Sequence, residues 1–483
     1  MKRETKEYNF DWNMWTILEN ASKTADGFQK EYETLMPYIP NYRNVLDAFV
    51  RQGEPGILFL KLIAKYTNDC VRAHIEGKKT AGVTFCLATP ILYAFGVQPI
   101  TLEPWSVMGT VVLKRGTAEF LDYCCELGFT ETSCSSQRGS LGAYLSGLTT
   151  SLDFVVYDSP GICDTNANSF SFAAAYLDIP FYQLNYPYTL TDERATEYHR
   201  ADFQGLISFL EEQMGNKLDM HRLREVMKES KRQDELSCEL LDLQRLRPCP
   251  MPPIYDLMLY GARFMMNGTK EYTKLLESMV EKTRERAQAG LAGTTSGREK
   301  ARGLFCYIDH YTTDARLWNF LDQRDISHMG SILFNFWQKD NPHAEGKREE
   351  GYSLSDGGLN EIIDSLADQM SRMPMVKQIR GPYDAPGMWL DDTLGAVNIM
   401  KPDFVVYMGT MGCRNTWGMV KPFVRDLEKH GIPTLYLYAD GFDDRVQSWE
   451  TVADKIEEFL NIRKILTKET AVPGKAKSEF IAA

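Results

Sequence analysis

Asp153 to Cys163 reads DFVVYDSPGIC and Asp403 to Cys413 reads DFVVYMGTMGC, so the same five residues stand 250 positions apart, each followed by a cysteine ten residues after the aspartate. A short apolar run closed by Gly, Pro, Ser or Thr is the pattern of a buried strand. The echo extends further. After Cys163 a polar, helix-capable segment leads to LDIPFYQLNYP, and after Cys413 the segment TWGMVKPFVRDLEKH leads to GIPTLYLYAD. Ile179-Pro180 lies 26 residues beyond Asp153, and Ile432-Pro433 lies 29 beyond Asp403. Each copy is strand, cysteine loop, helix, Ile-Pro, strand, which is a βαβ unit.

In such a unit the loop after the first strand sits at the carboxyl edge of the sheet, where open α/β domains place their ligands. Cys163 and Cys413 are therefore expected at the chemically useful edge of their own domains, and they meet across a cleft if the two edges face. The alternative is that each thiol fills a small site at the start of a helix, with the spacing kept by common ancestry of the two halves. Gly161 and Gly412 suit tight turns that bring backbone close to a bound group.

The texture around the two copies sets the organisation. Residues 1–80 alternate apolar and charged positions at helical spacing, as in NYRNVLDAFVRQ, and predict an N-terminal helical cap. Residues 81–190 show short apolar runs separated by helix-length segments, the signature of a parallel sheet covered by helices, and would form a first α/β domain with Cys134 and Cys163. Residues 191–297 are rich in Glu, Lys, Arg, Leu and Met at helical period and predict a helical domain or linker. Residues 298–466 resume the alternation through GLFCYI, MGSILFNFW, DFVVYM and TLYLYA, which predicts four strands of a second doubly wound sheet carrying Cys413. Residues 467–483 predict a flexible tail. Thr80 to Leu102 carries no charge, but Pro90, Gly96, Gln98 and Pro99 interrupt it, so it reads as a buried helix running into a buried strand and not as a membrane span. GLAGTTSGREK (Gly290 to Lys300) reads as a loop; Arg298 follows Gly297 where a phosphate-binding loop requires Lys and then Ser or Thr.

Composition narrows the function classes. The balance of 54 basic against 66 acidic residues gives a formal charge of -12, which repels a phosphate backbone and argues against nucleic-acid binding, while local cations and helix N-termini still permit a small polyanion. MKRETKEYNFDWNMW has no apolar stretch followed by small residues, so no secretory signal is read and a cytoplasmic location is expected. In a reducing compartment the ten cysteines are buried small residues, metal ligands or nucleophiles, and with no CxxC any metal site is gathered from distant segments. Cys134 in TSCSSQRGSLGAYLSGL stands just before a small-residue stretch able to pack a helix closely. A thiol at a helix N-terminus has its thiolate favoured by the dipole and by open N–H groups, which suits a metal ligand. Arg138, one turn on, adds positive charge there, or is simply a surface arginine.

Taken together, CSSQRGSLGAYL, DFVVYDSPGICD, YLDIPFYQLNYP and GCRNTWGMVKPFVRDLEKHGIPTLYLYADGFDDR resemble the 2-hydroxyacyl-CoA dehydratase and ATP-dependent benzoyl-CoA reductase family, over about Leu87 to Phe459. The resemblance implies two flavodoxin-like α/β domains, a helical domain, and a 4Fe-4S cluster held by three cysteines, which by motif are Cys134, Cys163 and Cys413. Clusters normally take four thiolates, so three would leave one iron open to water or substrate. It further implies a homologous sister subunit, an ATP-hydrolysing iron-sulfur activator delivering one low-potential electron, and an acyl-CoA substrate whose thioester carbonyl accepts it. The outcome would be loss of a hydroxyl group or reduction of an aromatic ring. There is one departure: where relatives often begin a helix with Pro-Glu-Glu, the matching stretch is ATPILYAFGVQP, with Thr89 and Pro90 in place of the carboxylates. An electron-relay or scaffold subunit that does no chemistry is therefore the competing expectation, and a zinc site on the same thiolates a further one. His310, in YIDHYTTD, could protonate an intermediate or be an ordinary loop histidine. Trp417 could shield a cluster, lie beside CoA or serve packing. Cys86 reads as core.

Overall fold

The computed structural model describes residues 42–466 apart from 85–86, 102, 104–117, 146–150, 159–162, 188, 190–191, 308–314, 333–353, 373–388, 411, 441 and 444. The first forty residues, the tail, Cys86 and His310 lie outside the described residues.

Two four-stranded, fully parallel sheets are present. Strands β1 (Thr80–Val83), β2 (Gln98–Thr101), β3 (Phe154–Asp158) and β4 (Phe181–Leu184) lie in the order β2-β1-β3-β4. Strands β5 (Ala301–Tyr307), β6 (Ile326–Ser331), β7 (Phe404–Gly409) and β8 (Thr434–Tyr438) repeat it as β6-β5-β7-β8. This is the strand order of flavodoxin-like domains, whose ligand crevice opens where the order reverses, beside the first and third strands. The DFVVY strands are β3 and β7, each next to that reversal.

The repeated residues do the same work in both sheets. Asp153 donates its N–H to the Thr80 carbonyl (3.1 Å) and accepts the Thr80 N–H on Oδ2 (2.7 Å). Asp403 donates to the Arg302 carbonyl (2.8 Å) and accepts the Arg302 N–H on Oδ2 (3.0 Å). Each aspartate thus closes the start of a parallel pair at a point where the ladder has no further partner to offer. The Ile-Pro pairs match as well. Val155 N–H donates to the Pro180 carbonyl at 3.0 Å and Val405 N–H to the Pro433 carbonyl at 2.9 Å, while Ile179 and Ile432 donate back to the preceding helix, each at 3.1 Å. Proline fits before an edge strand because no N–H is required of it there.

Between the strands run α1 (Tyr42–Val50), α2 (Glu54–Arg72), α3 (Pro90–Phe95), α4 (Ala118–Glu126), α5 (Ser135–Leu145) and α6 (Asp164–Leu177), then four longer helices, α7 (Arg194–Met214), α8 (Met220–Gln244), α9 (Tyr255–Met266) and α10 (Lys270–Gln288). The second half adds α11 (Arg316–Gln323), α12 (Leu359–Arg372), α13 (Trp389–Met400), α14 (Arg414–Lys429) and α15 (Trp449–Ile462). Side-chain caps start several of these: Asp219 accepts the His221 and Arg222 N–H groups before α8, and Thr269 accepts from Tyr272 before α10.

Helix α9 ties the two sheets together. Its Phe264 carbonyl accepts from Thr101 Oγ1 at the end of β2 (2.8 Å), and Asp256 Oδ2 meets His328 Nδ1 of β6 at 2.6 Å. Gln244, the last residue of α8, donates to both Asp256 (3.0 Å) and the His328 carbonyl (2.9 Å), and the buried Arg302 guanidinium donates to the Gln244 carbonyl (3.0 Å). The apolar core is accordingly continuous from Leu46 to Ile465, with a small satellite of Cys124, Leu141, Leu145 and Ala173 between α4, α5 and α6.

Three local expectations are refined. Among the described residues the uncharged run is strand, short helix and strand (β1, α3, β2), with both strands and most of the helix buried, and not a helix running into one strand. Among the described residues no helix is long and apolar enough to cross a membrane. Strand β6 begins at Ile326, three residues before the quoted MGSILFNFW. The Gly290–Lys300 segment is a loop, and its polar side chains are spent internally: Thr295 on Asp322 and Thr294 on the Arg298 carbonyl.

Candidate metal centre

The three cysteines singled out by motif each precede a helix. Cys163 is the N-cap of α6, its sulfur accepting the Asn166 N–H at 3.4 Å. Cys413 is the N-cap of α14, its carbonyl accepting from Trp417 N–H at 3.1 Å. Cys134 immediately precedes α5, its carbonyl taking the Arg138 N–H at 3.0 Å. Gly142 lets α5 lie against α4 so closely that an added Cβ would come within 2.0 Å of the Phe120 carbonyl oxygen. The small-residue stretch after Cys134 therefore has the packing role expected of it.

Both sheets contribute to one place. The loop of Gly412 and Cys413 abuts Cys134, since a Cβ on Gly412 would lie 2.6 Å from the Cys134 Cα and N and from the Ser133 carbonyl oxygen. Cys134 is half-buried. Burial, then the nearby Cys163 and Cys413 thiols, push the Cys134 thiol well above its ordinary value, while the Gln137 N–H acts in the opposite direction. A thiol disfavoured as thiolate by burial and by like neighbours is relieved when a cation binds beside it. None of the nine described cysteines is in a disulfide. Among the described residues no three Cys, His, Asp or Glu side chains are drawn together as a single-ion site. Cys163 and Cys413 are nonetheless near enough to Cys134 to act on it electrostatically.

Arg138 is buried, not on the surface. Its Nε donates to the Ser133 carbonyl (3.1 Å) and Nη1 to the Cys125 sulfur (3.5 Å), so the guanidinium braces the turn that carries Cys134. The Trp417 ring packs on Gly409 and edge-on to Tyr438 at 4.4 Å, a packing role. Thr89 is buried with its hydroxyl unpaired, and the residues after Pro90 are Ile91 and Leu92, both fully buried. No carboxylate stands there.

Sequence reasoning missed three groups at this edge. Glu103, buried just beyond β2, accepts Gln137 Nε2 of α5 at 3.0 Å. Ser135, next to Cys134, donates through Oγ to Asp440 Oδ1 at 2.5 Å. Asp440 lies within YADGFDDR, a stretch that carried the family resemblance, so its presence was visible but its partner was not.

Comparison with known proteins bears on this arrangement. The sequence model of the 2-hydroxyglutaryl-CoA dehydratase D-component family matches residues 86–462, a span that includes all three cysteines. The alpha subunit of (R)-phenyllactyl-CoA dehydratase from Clostridium sporogenes is 25% identical over 411 residues, 83% of this chain and 93% of that protein. The alpha subunit of (R)-2-hydroxyisocaproyl-CoA dehydratase from Clostridioides difficile is 24% identical over 293 residues, 59% of this chain and 71% of that protein.

Proposed function

The chain belongs to the 2-hydroxyglutaryl-CoA dehydratase D-component family, and we infer that it is the cluster-bearing subunit of a dehydratase acting on a 2-hydroxyacyl-CoA, with Cys134, Cys163 and Cys413 holding a 4Fe-4S cluster. What supports this is that three cysteines from both halves each stand at a helix N-terminus, with Gly412 abutting Cys134 and with Cys163 and Cys413 both acting on the Cys134 thiol. A thiolate-ligated cluster is anionic, and open N–H groups at helix starts stabilise such charge. When bound, the cluster would supply one-electron transfer and an open iron site. The chain's own residues would fix the ligands: α5 and α6 present Cys134 and Cys163 from the first sheet, α14 presents Cys413 from the second, and Arg138 braces the Cys134 turn. The relatives are named as alpha subunits, so a sister subunit is the expected partner, together with an ATP-hydrolysing activator that delivers the electron.

Purification without oxygen tests the reading. About four irons per chain are expected, falling in Cys134→Ala, Cys163→Ala and Cys413→Ala. Iron-free protein, or iron indifferent to all three substitutions, defeats it, and zinc in place of iron would favour the single-ion alternative. With activator present, a 2-hydroxyacyl-CoA should be dehydrated and an aryl-CoA left unreduced. A relay role is the second reading, favoured by Thr89 and Pro90 standing where relatives often carry carboxylates. It is excluded by turnover that survives loss of the sister subunit's cluster.

A further inference from the structure

We propose that Asp440 is a positioning residue that locks Cys134 into the cleft through Ser135. Asp440 follows β8 in the second sheet and is 4% exposed, whereas Ser135 opens α5 beside the first sheet and is 1% exposed. Asp440 Oδ1 accepts Ser135 Oγ at 2.5 Å and the Phe442 and Asp443 N–H groups at 3.0 and 3.1 Å. One carboxylate oxygen therefore shapes its own turn and grips the residue adjoining Cys134. An anionic acceptor suits three donors at once better than a neutral amide does.

A second bridge reinforces the first. Arg445 holds Asp443 through Nε (2.7 Å) and Nη2 (2.9 Å) and reaches Asp122 of α4 with Nη1 (2.7 Å). With the Gly412 contact on Cys134, the two halves are joined at three points around the thiols. A cluster demands that its ligands be held in a fixed relation, and groups bonded behind the ligands commonly supply that rigidity. Of the two hydrogen-bonded bridges, Asp440–Ser135 is the nearer to Cys134 in sequence, and it crosses from one half to the other.

The inference rests on the cluster reading, so its test has two arms. In the iron-free protein, the alkylation rate of each cysteine is followed by peptide mass spectrometry. In the iron-loaded protein, the rate of iron loss to a chelator is followed by absorbance. Asp440→Ala and Ser135→Ala should each speed both Cys134 alkylation and iron loss roughly tenfold, as expected when a bond to a charged group is lost. The double variant should exceed neither single by more than about twofold, because the two act through one bond. Asp440→Asn, which keeps one acceptor oxygen but loses the charge, should give rates between those of wild type and Asp440→Ala. Rates within twofold of wild type in Asp440→Ala would overturn the proposal. So would a parallel rise at fully buried Cys70 together with a lower melting temperature, which marks general loosening. If the wild-type chain takes up no iron, the cluster reading falls while the alkylation arm still decides the lock.

Discussion

Asp153 and Asp403 show how a repeated residue earns its place. Each pairs both backbone and side chain with a residue at the start of the neighbouring strand, Thr80, the first of β1, or Arg302, the second of β5. Asp153→Ala and Asp403→Ala should therefore each destabilise the fold by about 1–3 kcal/mol, measured by denaturant unfolding. Asp153 carries a further signature. Burial works to raise its carboxyl, but His74 (3.0 Å) and the Thr80 N–H outweigh it and hold the group below the usual carboxylate range. The stabilisation is thus present above the unfolded-state value and is lost as pH falls through the lower folded value. Asp153→Asn should flatten the acid limb of the stability curve, and an unchanged limb would refute this account. The repetition itself was legible in the sequence; its purpose was not, because the partners lie 73 and 101 residues away.

Helices and strands were legible in proportion to how strongly local pattern decided them. The second sheet's four strands and the long helices α7 to α10 were readable from period alone. Strand β1 was not, since TAGV carries a glycine and merges into an uncharged run whose prolines and glycines signal turns. Its strand character comes from pairing with β2 and β3, a tertiary fact. Within α7, His199 is buried, and its Nε2 has no hydrogen-bond partner among the described residues. Burial pulls its pKa down to about 4 against a small opposing effect of Asp368. The fold holds this histidine neutral while the unfolded chain protonates near 6.5, so stability should decline as pH falls from 6.5 towards 4, by on the order of 3 kcal/mol. His199→Leu, monitored by thermal melts across that range, should lose most of the decline.

At the scale of the whole molecule, the candidate centre exists because two separately wound sheets meet. Gly412→Ala should force the Cys413 loop off Cys134, since its Cβ has 2.6 Å where ordinary contact needs far more, and iron content per chain should fall with little change in helix content by circular dichroism. Retention of wild-type iron would show that the two halves can yield without cost. Cys163 and Cys413 were legible because they stand at matching offsets in the repeated motif, and Cys134 because it precedes a small-residue helix. The Ser135–Asp440 bond was not, because it joins residues 305 apart through an interface that no periodicity encodes.

The proposed donors are scattered along the chain in an order that matters during synthesis. Cys134 and Cys163 emerge early, and Cys413 follows 250 residues after Cys163. A ribosome that has made the first sheet has therefore produced two exposed thiols with no third to complete the set. If these thiols hold iron as proposed, metal offered at that stage would find an unfinished site, and the set is complete only once β7 and α14 have formed. A chain truncated ahead of β7 should then fold its first sheet and still remain colourless.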